Sequence, residues 1–194
     1  MTSKEIAESL KNQNKSAIMF LQAGQYEQAY IAFGNYLKDL VDYQFYDHAA
    51  KTRVNMANTL LLMKKYPEAL ECLRASLDFF VQKKDYDSLN ENRILEGNLY
   101  MAMDKFDELK ALSERMISST KSDRLKAIAS MFKIYAEKNN GKVTLDLINK
   151  AISFAERAKD NAVLKQILTL RVDYYEQKKQ PLYAMMDRER IRAL

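Results

Sequence analysis

The chain of 194 residues is 47% apolar and 29% charged, with a formal net charge of +5 and only four glycines and two prolines. That length and apolar content suffice for one buried core or one extended helical array. So few turn-forming residues exclude an all-β protein, and the many Glu, Lys, Leu, Ala and Met residues favour helices throughout.

The N-terminal residues, MTSKEIAESLKNQNK, lack the apolar stretch of a signal sequence, and no run of about 18 apolar residues follows. Cys72 is the only cysteine, so the chain forms no internal disulfide, which is typical of a reducing compartment. These features predict a soluble, cytoplasmic protein.

Apolar residues recur at helical spacing along the chain and predict ten helices. In chain order these cover residues 3–23, 27–42, 48–63, 67–83, 86–103, 106–117, 123–138, 143–158, 161–178 and 181–193. Thr2 and Glu5 predict a capping box at the start of the first helix. Paired in order, the helices form about five helical hairpins, at 3–42, 47–83, 85–117, 123–158 and 160–193, within a single domain covering 1–194.

Three segments align without gaps at a spacing of 40 residues: AGQYEQAYIAF (23–33), MKKYPEALECL (63–73) and MDKFDELKALS (103–113). Each unit repeats a small residue, a bulky one and an aromatic one, in the sets Ala17, Phe20 and Tyr26; Ala57, Leu60 and Tyr66; and Gly97, Tyr100 and Phe106. A small residue allows two helices to cross closely, and the bulky residues fill the space beside the crossing. Pro67 and Pro181 then fall in the first turn of a second helix, where the missing N–H has no partner to lose.

Four aspartates recur near the start of the first helix of a predicted hairpin. They are spaced by 38, 38 and 37 residues, at Asp47, Asp85, Asp123 and Asp160. A carboxylate accepts hydrogen bonds from the free N–H groups of a first turn and suits the positive end of the helix dipole. We therefore predict that all four are N-caps.

The repeated residues also match between units in a longer pattern, which consists of Ala17, Phe20, Gly24, Tyr26, Ala29 and Phe33 in the first unit and Ala57, Leu60, Tyr66, Ala69 and Leu73 in the second. This pattern resembles the tetratricopeptide repeat (TPR) family, whose usual period is about 34 residues. The longer period is similar to the long-helix repeats of Gram-positive peptide-pheromone receptors, without their helix-turn-helix DNA-binding domain. The resemblance implies an all-α fold, an alpha-alpha superhelix or TPR-like solenoid, although Arg171 replaces the small residue in the fifth unit.

Residue types that carry catalysis are scarce and isolated. His48 is the only histidine, and we expect a solvated residue of a first helical turn rather than a base or metal ligand. Cys72 lies beside leucines of a predicted core with no histidine near it, which indicates an inert, half-buried thiol. With no Gly-rich phosphate loop and no paired carboxylates on one helix face, the sequence favours a non-enzyme without cofactor or metal.

Stacked hairpins line a concave groove with their first helices, and helical spacing selects the stripe of residues that would face it. The predicted peptide-binding residues on this stripe are Lys51, Asn58, Leu61, Ile94, Asn98, Met101, Lys126, Ser130 and Lys133, and the stripe begins with Lys11 and Asn14 on the first helix. Asn58 and Asn98 are expected to face each other across adjacent units because they are 40 residues apart. An asparagine amide both donates and accepts hydrogen bonds, which suits the backbone of an extended peptide. The alternative interpretation is that these are only solvated helix faces.

Charge refines the class of partner. Residues 1–97 contain 12 basic and 13 acidic side chains, whereas residues 98–194 contain 19 and 13. Because the cations are spread among acids, nucleic acid is a minor alternative, and we expect an acidic protein or peptide as partner and no membrane. The predicted function is a protein-interaction scaffold that binds a partner segment in its groove, including a peptide-sensing regulator; the alternative is a dedicated chaperone or assembly factor.

The last predicted helix, PLYAMMDRERIRAL, offers more apolar residues than the preceding helix can cover. A repeat array needs a polar outer face on its final unit. Either the natural chain continues past Leu194, or two copies cover each other as a homodimer through their C-terminal helices. The opposing interpretation is that Arg188, Arg190 and Arg192 solvate that face and cap the array.

Overall fold

The computed structural model describes residues 2–194, and all regular structure in that range is α-helical. The helices are α1 (Ser3–Gln22), α2 (Tyr26–Asp42), α3 (Tyr46–Leu62), α4 (Tyr66–Gln82), α5 (Tyr86–Ala102), α6 (Phe106–Ser119), α7 (Asp123–Asn139), α8 (Leu145–Ala158), α9 (Asn161–Gln177) and α10 (Pro181–Ala193). The predicted all-α class is confirmed, and each helix lies within about two residues of its predicted bounds. Over the described range, every helix is too short or too polar to cross a membrane.

The chain divides into two compact units, and the boundary lies inside α5, between Leu99 and Tyr100. In the first unit α1 packs on α2, α2 on α3, and α3 on α4. In the second unit α6 packs on α7, and the contacts continue in order through α8, α9 and α10. Consecutive packing of short-looped helices is the repeat-like arrangement that the 40-residue spacing predicts, although the sequence was expected to form a single domain.

Most helices end in the same left-handed turn. The residues with positive φ include Gly24, Gln44, Lys64, Lys84 and Asp104, spaced by 20, and then Lys159 and Lys179. After Lys64, the backbone N–H of Lys65 donates to the Leu60 carbonyl at 2.9 Å, which is the long bond of a Schellman motif. The 40-residue repeat is therefore two 20-residue steps, each a helix followed by one such turn.

Several predicted helix starts are confirmed. Thr2 and Glu5 form a complete capping box on α1. Asp85 accepts from the backbone N–H of Ser88 at 3.1 Å, and Asp160 accepts from that of Val163 at 3.0 Å. Pro67 and Pro181 lie in the first turns of α4 and α10, as the repeat predicts. The chain therefore uses side-chain caps and prolines where the sequence indicates them.

The prediction that Asp47 and Asp123 are N-caps is wrong. Helix α3 begins at Tyr46, which places Asp47 inside the first turn, and Ser122 caps α7 in place of Asp123. Both aspartates instead accept from cations at the far end of their hairpin's second helix. Lys83 donates to Asp47, and Arg157 donates to both oxygens of Asp123 at 2.9 and 3.0 Å. The ladder of aspartates therefore mixes two functions that place a carboxylate at nearly the same point of a hairpin.

The small residues of the repeat are buried. Ala17 and Ala57 are 0% exposed, and Leu60 and Tyr100 are buried beside them as predicted. Phe20 departs from the prediction because 37% of its surface is exposed. Helix α1 has its main contact with α2, whereas α3 packs against both α2 and α4. Consequently, the bulky residue of the first unit lacks the second neighbour that covers its counterparts.

Arg171 on α9 fills the position that a small residue holds in the other units. Its guanidinium donates to both carboxylate oxygens of Asp187 on α10, at 2.7 and 2.6 Å, and to Asn149 on α8 at 2.8 Å. The side chains of Arg171 and Asp187 are only 17% and 6% exposed. The hydrogen bond from Asp187, acting against desolvation, raises the pKa of Arg171. A buried ion pair therefore replaces a close helix crossing at this end of the second unit.

Candidate functional site

One face of α3 carries three of the predicted binding residues, Lys51, Asn58 and Leu61, at steps of seven and three residues. Helical periodicity places residues at these steps on the same side of the helix. The opposite side is buried and includes Met56 and Thr59. The stripe therefore follows directly from the amphipathic pattern of α3, which commits one side to the core and leaves the other beside solvent.

These three residues, called the α3 stripe below, have side chains that a partner could contact. Asn58 and Leu61 are half-buried and Lys51 is exposed. The Asn58 amide makes no hydrogen bond to any residue that the structure describes. Lys51 lies close enough to Asp85 to contribute to that carboxyl's lowered pKa, although the hydrogen bonds from Ser88 are the larger cause. The stripe thus combines a cation, an unpaired amide and an aliphatic group within three helical turns.

Helix α5 repeats part of this arrangement. Ile94, Asn98 and Met101 are all half-buried. Across residues 2–194, the Asn98 amide also finds no side-chain or backbone partner. That Asn58 and Asn98 face each other stays a prediction. Their shared features are intermediate burial and an unused amide, both of which suit contact with a backbone from outside the chain.

The predicted residues of α7 lie in a different environment. Lys133 donates to Glu114 on α6 at 3.0 Å, and its side chain is 29% exposed. The Lys126 ammonium lies 5.7 Å from the centre of the Phe154 ring on α8, within range of a cation–π contact. Ser130 is only 3% exposed, so it does not lie on an accessible surface. Both predicted lysines of α7 therefore have partners within the chain, and Ser130 is buried.

Cys72 and His48, the two residues considered for chemistry, each occupy the environment that the sequence predicts, half-buried for the thiol and exposed for the imidazole. The Cys72 thiol donates to the Arg53 carbonyl at 3.4 Å, and burial raises its pKa, which disfavours the reactive thiolate. His48 is exposed in the first turn of α3, as predicted, and its ring meets Phe45 edge-on at 6.4 Å. Nowhere in residues 2–194 do three His, Cys, Asp or Glu side chains cluster closely enough to hold a metal ion.

Sequence reasoning missed a cavity between α1, α2 and α3 that is lined partly by Tyr36, Phe45 and His48. A signal for it was present. Phe45 is the N-cap residue of α3, whereas the N-cap residues of α2, α4 and α6 are the polar Gln25, Lys65 and Lys105. Departures from a local rule concentrate at functional or strained sites.

No protein-family model matches the chain, and no curated protein matches it either. The tetratricopeptide resemblance therefore stays a prediction that depends on the residues of the 40-residue repeat alone.

Proposed function

We propose that this protein is a helical-repeat interaction scaffold of the cytoplasm that binds a segment of another protein along α3 in its first unit. The observation that carries the proposal is the half-buried Asn58 amide, which has no partner within the described chain and lies between Lys51 and Leu61 on one helix face. A half-exposed amide without a protein partner is open to solvent, and a bound peptide backbone can take the place of that water.

Each residue of the stripe has a distinct part in this proposal. Asn58 donates to and accepts from the partner's backbone, while Leu61 packs against an apolar side chain of the partner. Lys51 attracts an acidic residue, so the preferred segment is acidic with at least one apolar residue. Ile94 and Asn98, on the part of α5 that belongs to the first unit, extend the same chemistry.

The residues of α7 have a smaller part in the proposal. Lys126 and Lys133 would have to leave Phe154 and Glu114 before they contacted an acidic partner. Ser130 is buried and receives no binding part. We therefore assign recognition chiefly to the first unit, and the cations of α7 supply at most a long-range attraction that salt would screen.

Ion pairing also weighs against nucleic acid as the partner. Cations of the second unit are joined to acids in the pairs Lys110–Glu137, Arg124–Asp160, Lys138–Asp173, Arg157–Asp123, Arg171–Asp187, Arg188–Glu176 and Arg190–Glu156. Phosphate binding needs cations that are free to replace counterions. Seven cations of the second unit are thus held in contacts between helices.

The test is a selection of binders from a random-peptide display library, followed by fluorescence anisotropy with the best peptides. We expect Asn58→Ala and Leu61→Ala to weaken binding by about tenfold each, because each removes a contact worth about 1 to 2 kcal/mol. Arg74→Ala, on the exposed side of α4, is the matched control and should bind like the wild type. Selected peptides that bind both α3 variants normally, or lose affinity only with Arg74→Ala, would contradict the proposal.

We also propose that the protein self-associates through α10. Leu182, Tyr183, Met185 and Met186 are 63%, 52%, 48% and 56% exposed, which is unusual for apolar residues of one short helix. Arg188 and Arg190 pair with Glu176 and Glu156 of the preceding helices.

Light scattering over a range of concentrations tests the self-association. We expect the mass to rise from 22.6 kDa toward twice that value, and a Leu182→Glu, Met186→Glu double variant to stay at 22.6 kDa. A wild-type mass that stays at 22.6 kDa at high concentration would show that α10 closes the array alone.

A further inference from the structure

A cavity of about 340 Å³ opens between α1, α2 and α3 in the first unit. Its apolar lining includes Leu10, Leu40 and Phe45, and the two leucines belong to the core cluster around Tyr36. The volume lies at the lower end of the range of roughly 300 to 1,000 Å³ that holds small molecules. The cavity is thus large enough for a small molecule but not for a folded segment.

Four hydrogen-bonding side chains line the same cavity: Lys11, Asn14, Tyr36 and His48. None of the four makes a side-chain hydrogen bond or ion pair with another residue of the described range. Tyr36 is the most enclosed of the four, with only 7% of its surface exposed, and its unpartnered hydroxyl keeps access to solvent through the cavity. Burial raises the Tyr36 pKa, so the hydroxyl keeps its proton and remains a donor.

The donors and acceptors in the cavity define the charge of a ligand. The Lys11 ammonium only donates, the Tyr36 hydroxyl donates, and the Asn14 amide and the His48 ring each offer at least one N–H. Of the residues that the structure describes, none with a carboxylate lines the cavity. This set matches a group that only accepts hydrogen bonds and carries negative charge, and it disfavours an amine.

Phe45 provides an independent reason to treat the cavity as built rather than accidental. The equivalent position in the next unit is Asp85, which caps α5 through the Ser88 N–H. At α3 the N-cap residue is Phe45, which makes no side-chain capping bond and is 45% exposed. Gln25, Lys65 and Lys105 hold the same position before α2, α4 and α6 and also make no side-chain cap, but they are polar. The distinctive feature of Phe45 is therefore its aromatic ring, which forms a wall of the cavity.

We propose that this cavity binds a small molecule made of an apolar body and one carboxylate. Lys11, Tyr36 and His48 hold the carboxylate, and Leu10, Leu40 and Phe45 surround the apolar body. A free carboxylic acid and the last residue of a peptide both present this chemistry. Lys11 and Asn14 also begin the predicted stripe, but the site goes beyond partner binding on α3 because Tyr36, His48 and the apolar lining are not assigned to it.

Titration of the isotopically labelled wild-type chain, followed by amide NMR, tests the proposal. The probes are octanoate, 4-phenylbutyrate and N-acetyl-alanyl-leucine, each beside its uncharged carboxamide. We expect saturable shifts at residues lining the cavity with at least one acid, and binding at least about tenfold weaker with its carboxamide. A stronger response to the peptide than to the free acids would assign the carboxylate to a chain end, and the reverse order would assign it to a metabolite.

Two variants and one matched control complete the test. Lys11→Gln and Tyr36→Phe keep the size of each side chain while removing the charge or the hydroxyl, and each should weaken acid binding by about tenfold. Lys15→Gln, on an exposed position one turn further along α1, should change nothing. The proposal is overturned if none of the acids binds saturably, if acids and carboxamides bind equally, or if Lys11→Gln binds like Lys15→Gln. Because Asn58→Ala is outside the cavity, failure here is distinguishable from failure of the partner-binding proposal.

Discussion

Helices α3 and α7 are both the first helix of a hairpin, yet they leave different surfaces for a partner. On α3, Asn58 has no partner among residues 2–194 and Lys51 is exposed. On α7, Lys133 is held by Glu114 and Lys126 lies over Phe154. The predicted binding residues of α3 therefore remain available to a partner. Those of α7 are already engaged, because its flanking helices supply an acid and an aromatic ring.

The same contrast extends to how the helices cross. Ala57 in the first unit is completely buried and allows close approach, whereas Arg171 holds the corresponding position in the second unit through Asp187. The helix-crossing position of a repeat can therefore be filled by a small residue in close packing or by a member of a buried ion pair. It also makes the two units respond differently to mutation.

The largest expected effect is that of Asp187→Ala in the second unit. The substitution leaves the Arg171 guanidinium, 17% exposed, without its main partner, and removing one member of a buried pair costs about 3 to 5 kcal/mol. Urea denaturation followed by circular dichroism measures this loss. The control is Asp47→Ala, which breaks the exposed pair with Lys83 and should have a much smaller effect. Equal losses of stability from the two substitutions would contradict the claim that the Arg171–Asp187 pair stabilises the fold more than the exposed Lys83–Asp47 pair does.

A second prediction concerns the close crossing in the first unit. Ala57→Leu should reduce the free energy of unfolding by about 1 to 3 kcal/mol, because a larger side chain does not fit a site that is 0% exposed. Ala75→Leu on α4 adds the same atoms at an exposed position and should be nearly neutral. An unchanged urea midpoint for Ala57→Leu would mean that the helices do not approach closely there.

The left-handed turns are the feature that the two units share, so substitutions there should act alike in both. Lys64→Gly and Lys179→Gly should each raise the unfolding free energy by up to about 1 kcal/mol, because a residue with a Cβ is strained at these positive φ angles. Gly24→Ala should have the opposite sign, and the strain there is purely conformational because nothing lies within 4 Å of an added Cβ. Thermal melts of the three variants check the signs, and a stabilising Gly24→Ala would refute the shared turn.

Acid should weaken the second unit through its ion pairs. The hydrogen bond from Arg157 lowers the pKa of Asp123, and that from Lys110 lowers the pKa of Glu137. A lowered folded-state pKa stabilises the fold above the unfolded value, near about 4, and this contribution is lost as pH falls through the folded value. Melting temperatures between about pH 6 and about pH 2 should therefore fall less steeply for Asp123→Asn than for the wild type. Parallel curves would indicate that the Arg157 pair is broken in solution.

The sequence predicted the helices well because each signal was local. Apolar periodicity set the bounds of all ten helices, and Pro67 and Pro181 marked helix starts that no other residue type would mark as clearly. The repeat also predicted burial of Ala17 and Ala57, because only a small residue fits where helices cross closely.

Features that depend on three-dimensional neighbours were not predictable in the same way. Spacing alone did not separate Asp160, which caps α9, from Asp123, which caps no helix and pairs with Arg157, since both lie at the start of a helix. Nor did it show that Glu114 would engage Lys133, or that Ser130 would be buried. The binding stripe was therefore predicted by periodicity, while the availability of each residue on it was decided by the flanking helices.

The most direct test of the central claim is to map a bound peptide onto α3 and α7 by amide NMR, with an acidic peptide from the display selection as the probe. We predict that the Asn58 side-chain amide and the backbone around Leu61 shift on binding, while the signals of Lys133 and its neighbours on α7 change little. Shifts concentrated on α7, or on the exposed side of α4 around Arg74, would contradict the assignment of partner binding to the first unit.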